Sequence, residues 1–275
     1  MKSKKTPIEE FKSLKEFTKN KFIEDSTEKF LVTEKEQLAE LDNISKGLRY
    51  EQFYFVVNVE DFTIIHAKGL EEIGFHSDKF DMMQYVQCIP SKGILQLLAL
   101  MWRKIFEFNI EEKTLLSFLK PKFIVQMPFK NSQGEMMLVK RTISPFQFTN
   151  KGKLTQYLSE FTIIKNTFNN EPPEPRFTDI PADLVEKYNM FINRAFIWEN
   201  SPFSPKEMII IHAYANDNGT KSLEEFAEET DVKASTLKFY NKEIITKAKE
   251  FLGEYYTFNT AKEVAHFLRR SGILN

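Results

Sequence analysis

The sequence predicts an α+β protein in two parts: an N-terminal antiparallel sheet with helices, then an all-α unit of four helices. Three observations carry this. Short runs of β-branched and aromatic residues gather at 52–66 and 122–165 with helical spacing between them, an order that favours antiparallel pairing over βαβ crossovers. Four prolines, Pro172, Pro173, Pro175 and Pro181, then punctuate a polar stretch at 169–181. Beyond it, three helix-start signatures follow in close succession.

The length of 275 residues suits two domains of roughly 100–150 residues each. Hydrophobic residues at 42% and charged residues at 28% exclude wholesale disorder. With 27 Phe and only 9 Gly, apolar bulk comes from aromatic rings, and no Gly-rich nucleotide fingerprint occurs. The formal net charge of −1 means that any nucleic-acid role must come from local segregation of charge rather than from the total. Cys88 is the only cysteine, which excludes an internal disulfide and fits a reducing cytosol. The N-terminus MKSKKTPIEEFKSLKEF has no apolar signal core, and no run approaches about 18 apolar residues. A cytoplasmic protein without a membrane partner is expected.

In chain order, residues 7–48 show a loose helical pattern through Phe11, Leu14, Phe17, Phe22, Leu38, Leu41 and Leu48, so 1–48 is expected to be a helical segment. FYFVVNV and FTIIHA, separated by Glu60-Asp61, predict a hairpin over 52–66. GLEEIGFHSDKF and SKGILQLLALMWRKIFEF (91–108) return to helical spacing, the latter with Ser91 as its cap. Strands are expected at 122–130, at 134–148 with an interruption at Pro145, and at 153–165. Lys130 to Gly134 and Asn150-Lys151-Gly152 supply the turns.

Two strands, helices, then three strands is an order that resembles a PAS domain. The residues carrying the likeness are FYFVVNVEDFTIIHAKGLEEIGF, with a strand, an acidic turn, a second strand and a G-x-E-x-x-G helix, and later GEMMLVKRTISPF. The resemblance covers roughly 50–165 and implies a sensor or dimerisation domain, expected at 49–166, with a small-molecule ligand inside it. The prolines make 169–181 an extended linker. Ala182 to Trp198, with Leu184, Tyr188, Phe191, Ile192, Ala195 and Phe196 on one stripe, is expected to be a helix that couples the units or dimerises. Linker and helix together occupy 167–199.

In 200–275 the helix starts are explicit. Ser204-Pro205-Lys206-Glu207 combines a capping Ser, a Pro at the first helical position and a reciprocal Glu. Ser222 with Glu225 and Thr260 with Glu263 repeat the spacing, and Gly272 follows the last turn. Between them lies KASTLKFYNKEI, residues 233–244. On a helical wheel Ser235, Lys238, Lys242 and Lys249 fall within about 60° of one another, opposite Leu237, Tyr240, Ile244, Ala248 and Phe251. Residues 217–231 carry six acids against Lys221, whereas 233–249 carry five lysines against Glu243. The charge changes sign at one turn.

FSPKE, SLEEFAEETDVKASTLKFYNKEIITK and NTAKEVAHFLRRSGIL resemble the helix-turn-helix of LuxR-type transcriptional regulators across roughly 203–274. Val232, Thr236, Leu237, Lys238, Tyr240, Ile244 and Lys247 stand at the positions of that family's recognition-helix pattern. Lys233 replaces its usual Ser and Tyr240 its usual His. The loops Asn216 to Lys221 and Phe251 to Asn259 are longer than is typical of it. The resemblance implies double-stranded DNA as partner and a homodimer as the active form. It makes Lys233, Ser235, Thr236, Lys238, Asn241 and Lys242 the candidate phosphate and base contacts.

The expected function is therefore DNA-binding transcriptional regulation under a PAS-like sensor. The alternative is a protein-interaction or ligand-sensing module whose helix-turn-helix no longer binds DNA, as the glutamates ahead of the lysines suggest. His66 and His76 could serve as haem ligands only if they faced a cavity, and the sequence assigns no cofactor. Cys88, in QCIPSKG, lacks the light-sensing flavin motif. Trp102, Phe106, Phe123 and Met127 fit an apolar pocket or a filled core equally well. No His/Asp/Ser spacing, phosphate loop or metal-ligand cluster stands out, so no enzyme is expected.

Overall fold

The protein is described from a computed structural model covering residues 6–21, 28–111, 116–167, 170–197, 201–217, 220–253 and 255–274. Phe22, Asn169 and Trp198, each included in an element above, lie outside these residues. The fold is α+β. Its sheet has six antiparallel strands in the order β2-β1-β5-β4-β3-β6, formed by β1 (Gln52–Asn58), β2 (Thr63–Lys68), β3 (Lys122–Lys130), β4 (Met136–Phe148), β5 (Leu154–Lys165) and β6 (Glu174–Thr178).

The hairpin and the three later strands lie where residue alternation places them. β1 is inserted between β2 and β5, with Phe55 opposite Ser159 and Ala67, and it is buried along nearly its whole length. Its alternate residues serve two layers. Phe53, Phe55 and Val57 point into the main core, while Tyr54 and Val56 join Phe146 and Leu158 on the other face. Helix α2 (Glu34–Gly47) covers that second face with Leu41 and Ile44. Its Gln37 donates to the Phe146 carbonyl and to Gln156 Oε1, both at 3.0 Å. Leu38, expected on the apolar stripe, is exposed. Pro145 cannot donate to the ladder, and the β4–β5 register shifts between Pro145 and Gln147.

Two expectations are corrected. GLEEIGFHSDKF forms only a 3-10 turn, Leu70–Ile73, bracketed by Gly69 and Gly74 at φ of 80° and 79°. Left-handed backbone at both ends stops the helix after one turn, and the next helix, α3 (Met82–Gln87), starts instead from an Asp81–Gln84 capping box. The extended chain at 169–181 is not a free linker, because β6 pairs with β3, Phe177 opposite Phe123. The edge N–H and C=O groups of β3 offered a partner that the prolines did not forbid.

Against the inner face of the sheet lie α1 (Pro7–Lys21), α3 and α4 (Lys92–Glu111). Ser91 caps α4 as predicted, accepting from the Ile94 N–H at 3.2 Å. α1 is anchored by Arg103, which donates to Glu10 at 2.6 Å and to Ser13 at 3.2 Å. α5 (Ala182–Ala195) buries Tyr188, Ile192 and Ala195, and the Tyr188 hydroxyl donates to the Met101 carbonyl at 3.3 Å. The stripe read as a coupling or dimer surface is thus largely spent on α4 within the same chain.

The C-terminal helices are α6 (Pro205–Ala215), α7 (Leu223–Glu229), α8 (Ala234–Leu252) and α9 (Ala261–Arg270). Their apolar core is continuous with that of the sheet unit. α4 begins directly against the end of α8, where a Cβ on Gly93 would sit 2.0 Å from the Phe251 carbonyl oxygen. Asn170 exchanges hydrogen bonds with Thr257, donating to its carbonyl at 2.7 Å and accepting from its N–H at 3.1 Å. Asn193 donates to the Ile273 carbonyl at 2.9 Å.

Phe161→Ala would remove a ring stacked on Phe53 at 4.5 Å and 8° and is expected to cost about 3–5 kcal/mol, read as a fall in the urea midpoint. On the same strand Ile164 is 45% exposed, and Ile164→Thr is expected to change stability by less than about 0.5 kcal/mol.

Candidate nucleic-acid interface

The basic segment is helix α8, and α6 sets its position. Ser204 and Glu207 form the predicted capping box, with the Ser204 N–H donating to Glu207 Oε2 at 2.7 Å and the Glu207 N–H to Ser204 Oγ at 3.3 Å. Glu207 also has a second role that the sequence did not reveal. Lys247 Nζ lies 2.7 Å from both of its carboxylate oxygens, and the Glu207 side chain is only 3% exposed. One carboxylate therefore starts α6 and pins α8 against it. Lys247, which stands at a position of the family's recognition-helix pattern, is held inward by this partner.

A second tie lies about two turns further along α6, where the Tyr214 hydroxyl donates to Asn241 Oδ1 at 3.0 Å. The turn between α7 and α8 is closed by Lys206, which donates to the Thr230 and Asp231 carbonyls at 2.8 and 3.2 Å. A cation at the carboxyl end of α7 offsets the helix dipole there. Asp231 takes a φ of 50°, and the Val232 N–H then returns to the Ala227 carbonyl at 2.9 Å.

These contacts leave one face of α8 open. Lys233, Ser235, Thr236, Lys238 and Lys242 are all exposed. Lys233 stands at the N-cap without a side-chain capping bond, so the amino end of the helix, with its unpaired N–H groups, lies beside the lysines. Among the described residues, Lys233, Lys238 and Lys242 make no ion pair. Asn241 differs from the other five candidates: it is half-buried, and its carbonyl oxygen is committed to Tyr214. Its amide N–H groups are not used in that bond, but the tie to Tyr214 fixes the direction in which they point.

Sequence reasoning missed Phe239, which is 59% exposed between Lys238 and Lys242. Its signal was present, since a large ring stands just beside the polar arc of the wheel. The glutamates of α7 are exposed as well, but two are engaged. Glu225 accepts from the Ser222 N–H at 2.6 Å, a capping bond that holds its carboxyl below the usual range. Glu229 pairs with Lys221 at 2.8 Å.

The sheet unit holds a second polar feature. Arg141, from the middle of β4, is 6% exposed and lies over the rings of Tyr85 and Phe161 at 5.0 and 5.5 Å. It donates from Nη1 to the Tyr85 hydroxyl at 2.7 Å, and from Nε and Nη2 to Ser159 Oγ at 3.2 and 2.9 Å. Burial raises the Tyr85 phenol and pushes that of Tyr157 up to about 12, with Arg141 pulling both the other way. The sequence carried a hint of this in Lys140-Arg141: adjacent strand residues face opposite sides, so one of the two charges had to point inward.

Trp102 and Phe123 line a cavity of about 60 Å³, whereas Phe106 and Met127 are packed in the core without lining it. His66 shares a hydrogen bond with the Tyr54 hydroxyl at 3.0 Å, on the face that α2 covers, and His76 is exposed. Cys88 is buried, and its thiol is pushed up to about 12 by desolvation. No group of three or more His, Cys, Asp or Glu side chains placed to hold a metal occurs among the described residues. No helix among them is long and apolar enough to cross a membrane.

No protein family matches the chain by sequence, and no curated protein does. Among solved structures it is similar to the phage VqmA–DPO complex, at 11% identity over 87% of this chain and 92% of that one, with a TM-score of 0.31. It is also similar to the Vibrio cholerae VqmA dimer without target DNA, at 11% identity over 85% and 88%, with a TM-score of 0.30. A Vibrio cholerae VqmA–ligand–DNA complex follows at 12% identity over 86% and 89%, with a TM-score of 0.26. Likeness at this level assigns no ligand, operator or contact residue to the present chain.

Lys247→Met is expected to destabilise the protein by about 3 kcal/mol, because it strands the Glu207 carboxylate in the interior. Adding Glu207→Gln should recover part of that loss, as a double-mutant cycle in urea can measure. Asn241→Ala should cost about 1 kcal/mol through the orphaned Tyr214 hydroxyl, visible in the same denaturation curves.

Proposed function

We propose that this protein is a DNA-binding transcriptional regulator that acts as a homodimer. In this reading the PAS-like sheet unit senses a small molecule, and the LuxR-like helices α6–α9 bind double-stranded DNA. The observation that supports it most directly is the division of labour among the lysines of this region. Lys206 and Lys247 are consumed in fixing helices, while Lys233, Lys238 and Lys242 share one open face with the hydroxyls of Ser235 and Thr236. A face of cations and short donors at the amino end of a helix suits phosphate contacts, with base edges within reach in a major groove. Lys233, Ser235, Thr236, Lys238, Asn241 and Lys242 are the proposed contacts, Asn241 through its amide N–H groups while its carbonyl oxygen accepts from Tyr214. The homodimer is carried by the family resemblance.

Phe239 favours a second reading. A ring 59% exposed among lysines, next to an acidic α7, also suits a protein partner, and a helix-turn-helix that has turned to protein binding would keep such a ring. The two readings differ in their dependence on salt.

Fluorescence anisotropy of the full-length protein with a pool of duplex DNA, across a salt series, separates them. The regulator reading expects affinity to fall steeply with salt. Lys238→Ala should weaken binding across sequences and lower the log–log slope by about one unit. An unchanged slope removes Lys238 from the contacts, and absence of binding at low salt favours the protein-partner reading.

A further inference from the structure

Arg141 is a buried cation without a buried anion. No carboxylate among the described residues lies within ion-pairing distance of it, and its partners Tyr85 and Ser159 are neutral hydroxyls. A guanidinium carries five N–H groups and stays charged at any ordinary pH. Three are used here, which leaves one donor on each terminal nitrogen. Holding such a charge inside a protein costs several kcal/mol when nothing opposes it.

The guanidinium also borders empty space. Arg141 lines a cavity of about 40 Å³ whose other walls include Met82, Val86, Leu95 and Trp102, with Phe11 and Leu14 of α1 closing it. Trp102 and Tyr157 form part of this wall and also part of the wall of the 60 Å³ cavity, which continues toward Phe123, Ile143 and Tyr188. The second cavity holds one orphan polar group: Ser144 is 1% exposed, and its hydroxyl has no hydrogen-bond partner. Each space exceeds what a single water requires, and their walls are overwhelmingly apolar. A charged donor beside one apolar space, with a second apolar space behind a shared wall, is an arrangement suited to an amphipathic anion.

We infer that the sheet unit binds an apolar carboxylic acid, with its carboxylate on Arg141 and Tyr85 and its hydrocarbon body passing Trp102 and Tyr157 into the second cavity. Arg141 has one N–H left on each terminal nitrogen for a carboxylate to accept, and the bound anion supplies the missing counter-charge. Trp102 and Tyr157 shift as the two spaces join. The inference extends the sensing half of the function proposed above. It is tested without DNA, so its failure leaves the DNA-binding reading standing.

The test uses the full chain carrying Trp198→Phe, which leaves Trp102 as the only tryptophan. Its emission is followed while straight-chain carboxylates from acetate to decanoate, and the matching primary alcohols, are titrated at constant ionic strength. Saturable binding is expected to strengthen with chain length until the two spaces are filled. Each alcohol is expected to bind about tenfold or more weakly than its acid, the loss of a charged hydrogen-bonded pair. Arg141→Met should erase that preference while leaving the alcohols unchanged. Equal binding of acids and alcohols by the unaltered Arg141 protein overturns the assignment, whether or not Arg141→Met folds. Absence of saturable binding by any acid also overturns it, as does an Arg141→Met protein that still prefers the acids.

Discussion

The stack of Phe53 on Phe161, linked to Phe55, Phe129 and Tyr85 through ring pairs 5.2–6.1 Å apart, is the contact on which the rest of the structure depends. Offset and edge-on rings of this kind fill space densely and fix one another's orientation. They come from β1, β5, β3 and α3, so the layer ties three strands together and seats α3 on them at once. It also supplies the flat surfaces between which the Arg141 guanidinium is held. Without that layer the wall of the Arg141 cavity formed by Tyr85 is not defined; α4, seated through Trp102 and Phe106 on Phe17 and Phe62, in turn carries the end of α8.

The C-terminal helices depend on a different kind of constraint. Beside their apolar core, part-buried polar ties fix how they lie: Glu207 with Lys247, Tyr214 with Asn241, and Lys206 with the carbonyls that end α7. Each takes a polar group from the helix surface and spends it on geometry. The lysines left over define the open face of α8. The boundary between structural and available charge is therefore set by what each lysine can reach.

Docking of the two halves further links that face to the sheet. Gly93 against Phe251, Asn170 with Thr257 and Asn193 with the Ile273 carbonyl place the last turn of α8 and the chain after it on the sheet unit. Arg270 adds a bond to Glu174 on β6. The strand formed by the proline-rich segment is therefore part of this seam, which explains why a stretch with the composition of a linker is ordered. A rearrangement of the aromatic interior that moved α4 would be felt directly at α8.

Much of this was legible in the sequence because it rests on local rules. Alternation placed five of the six strands to within a few residues, three capping pairs located α6, α7 and α9, and wheel geometry separated the buried from the basic side of α8. The reading failed where a distant partner decided the outcome. Glycines at positive φ cut short a helix that the spacing of GLEEIGFHSDKF suggested, and an open sheet edge turned 174–178 into a strand. Asn241 looks as free in the sequence as Lys242 does, and only the approach of α6 distinguishes it; Lys247 falls on the apolar side of the wheel, but nothing local names Glu207 as its partner. Arg141 reads as an ordinary strand residue until the sheet buries it. By itself the sequence determined the elements and their polar and apolar faces, since both follow from residues a few positions apart. The tertiary structure decided which charges are spent and which remain, since a partner's distance is fixed only when remote segments pack together.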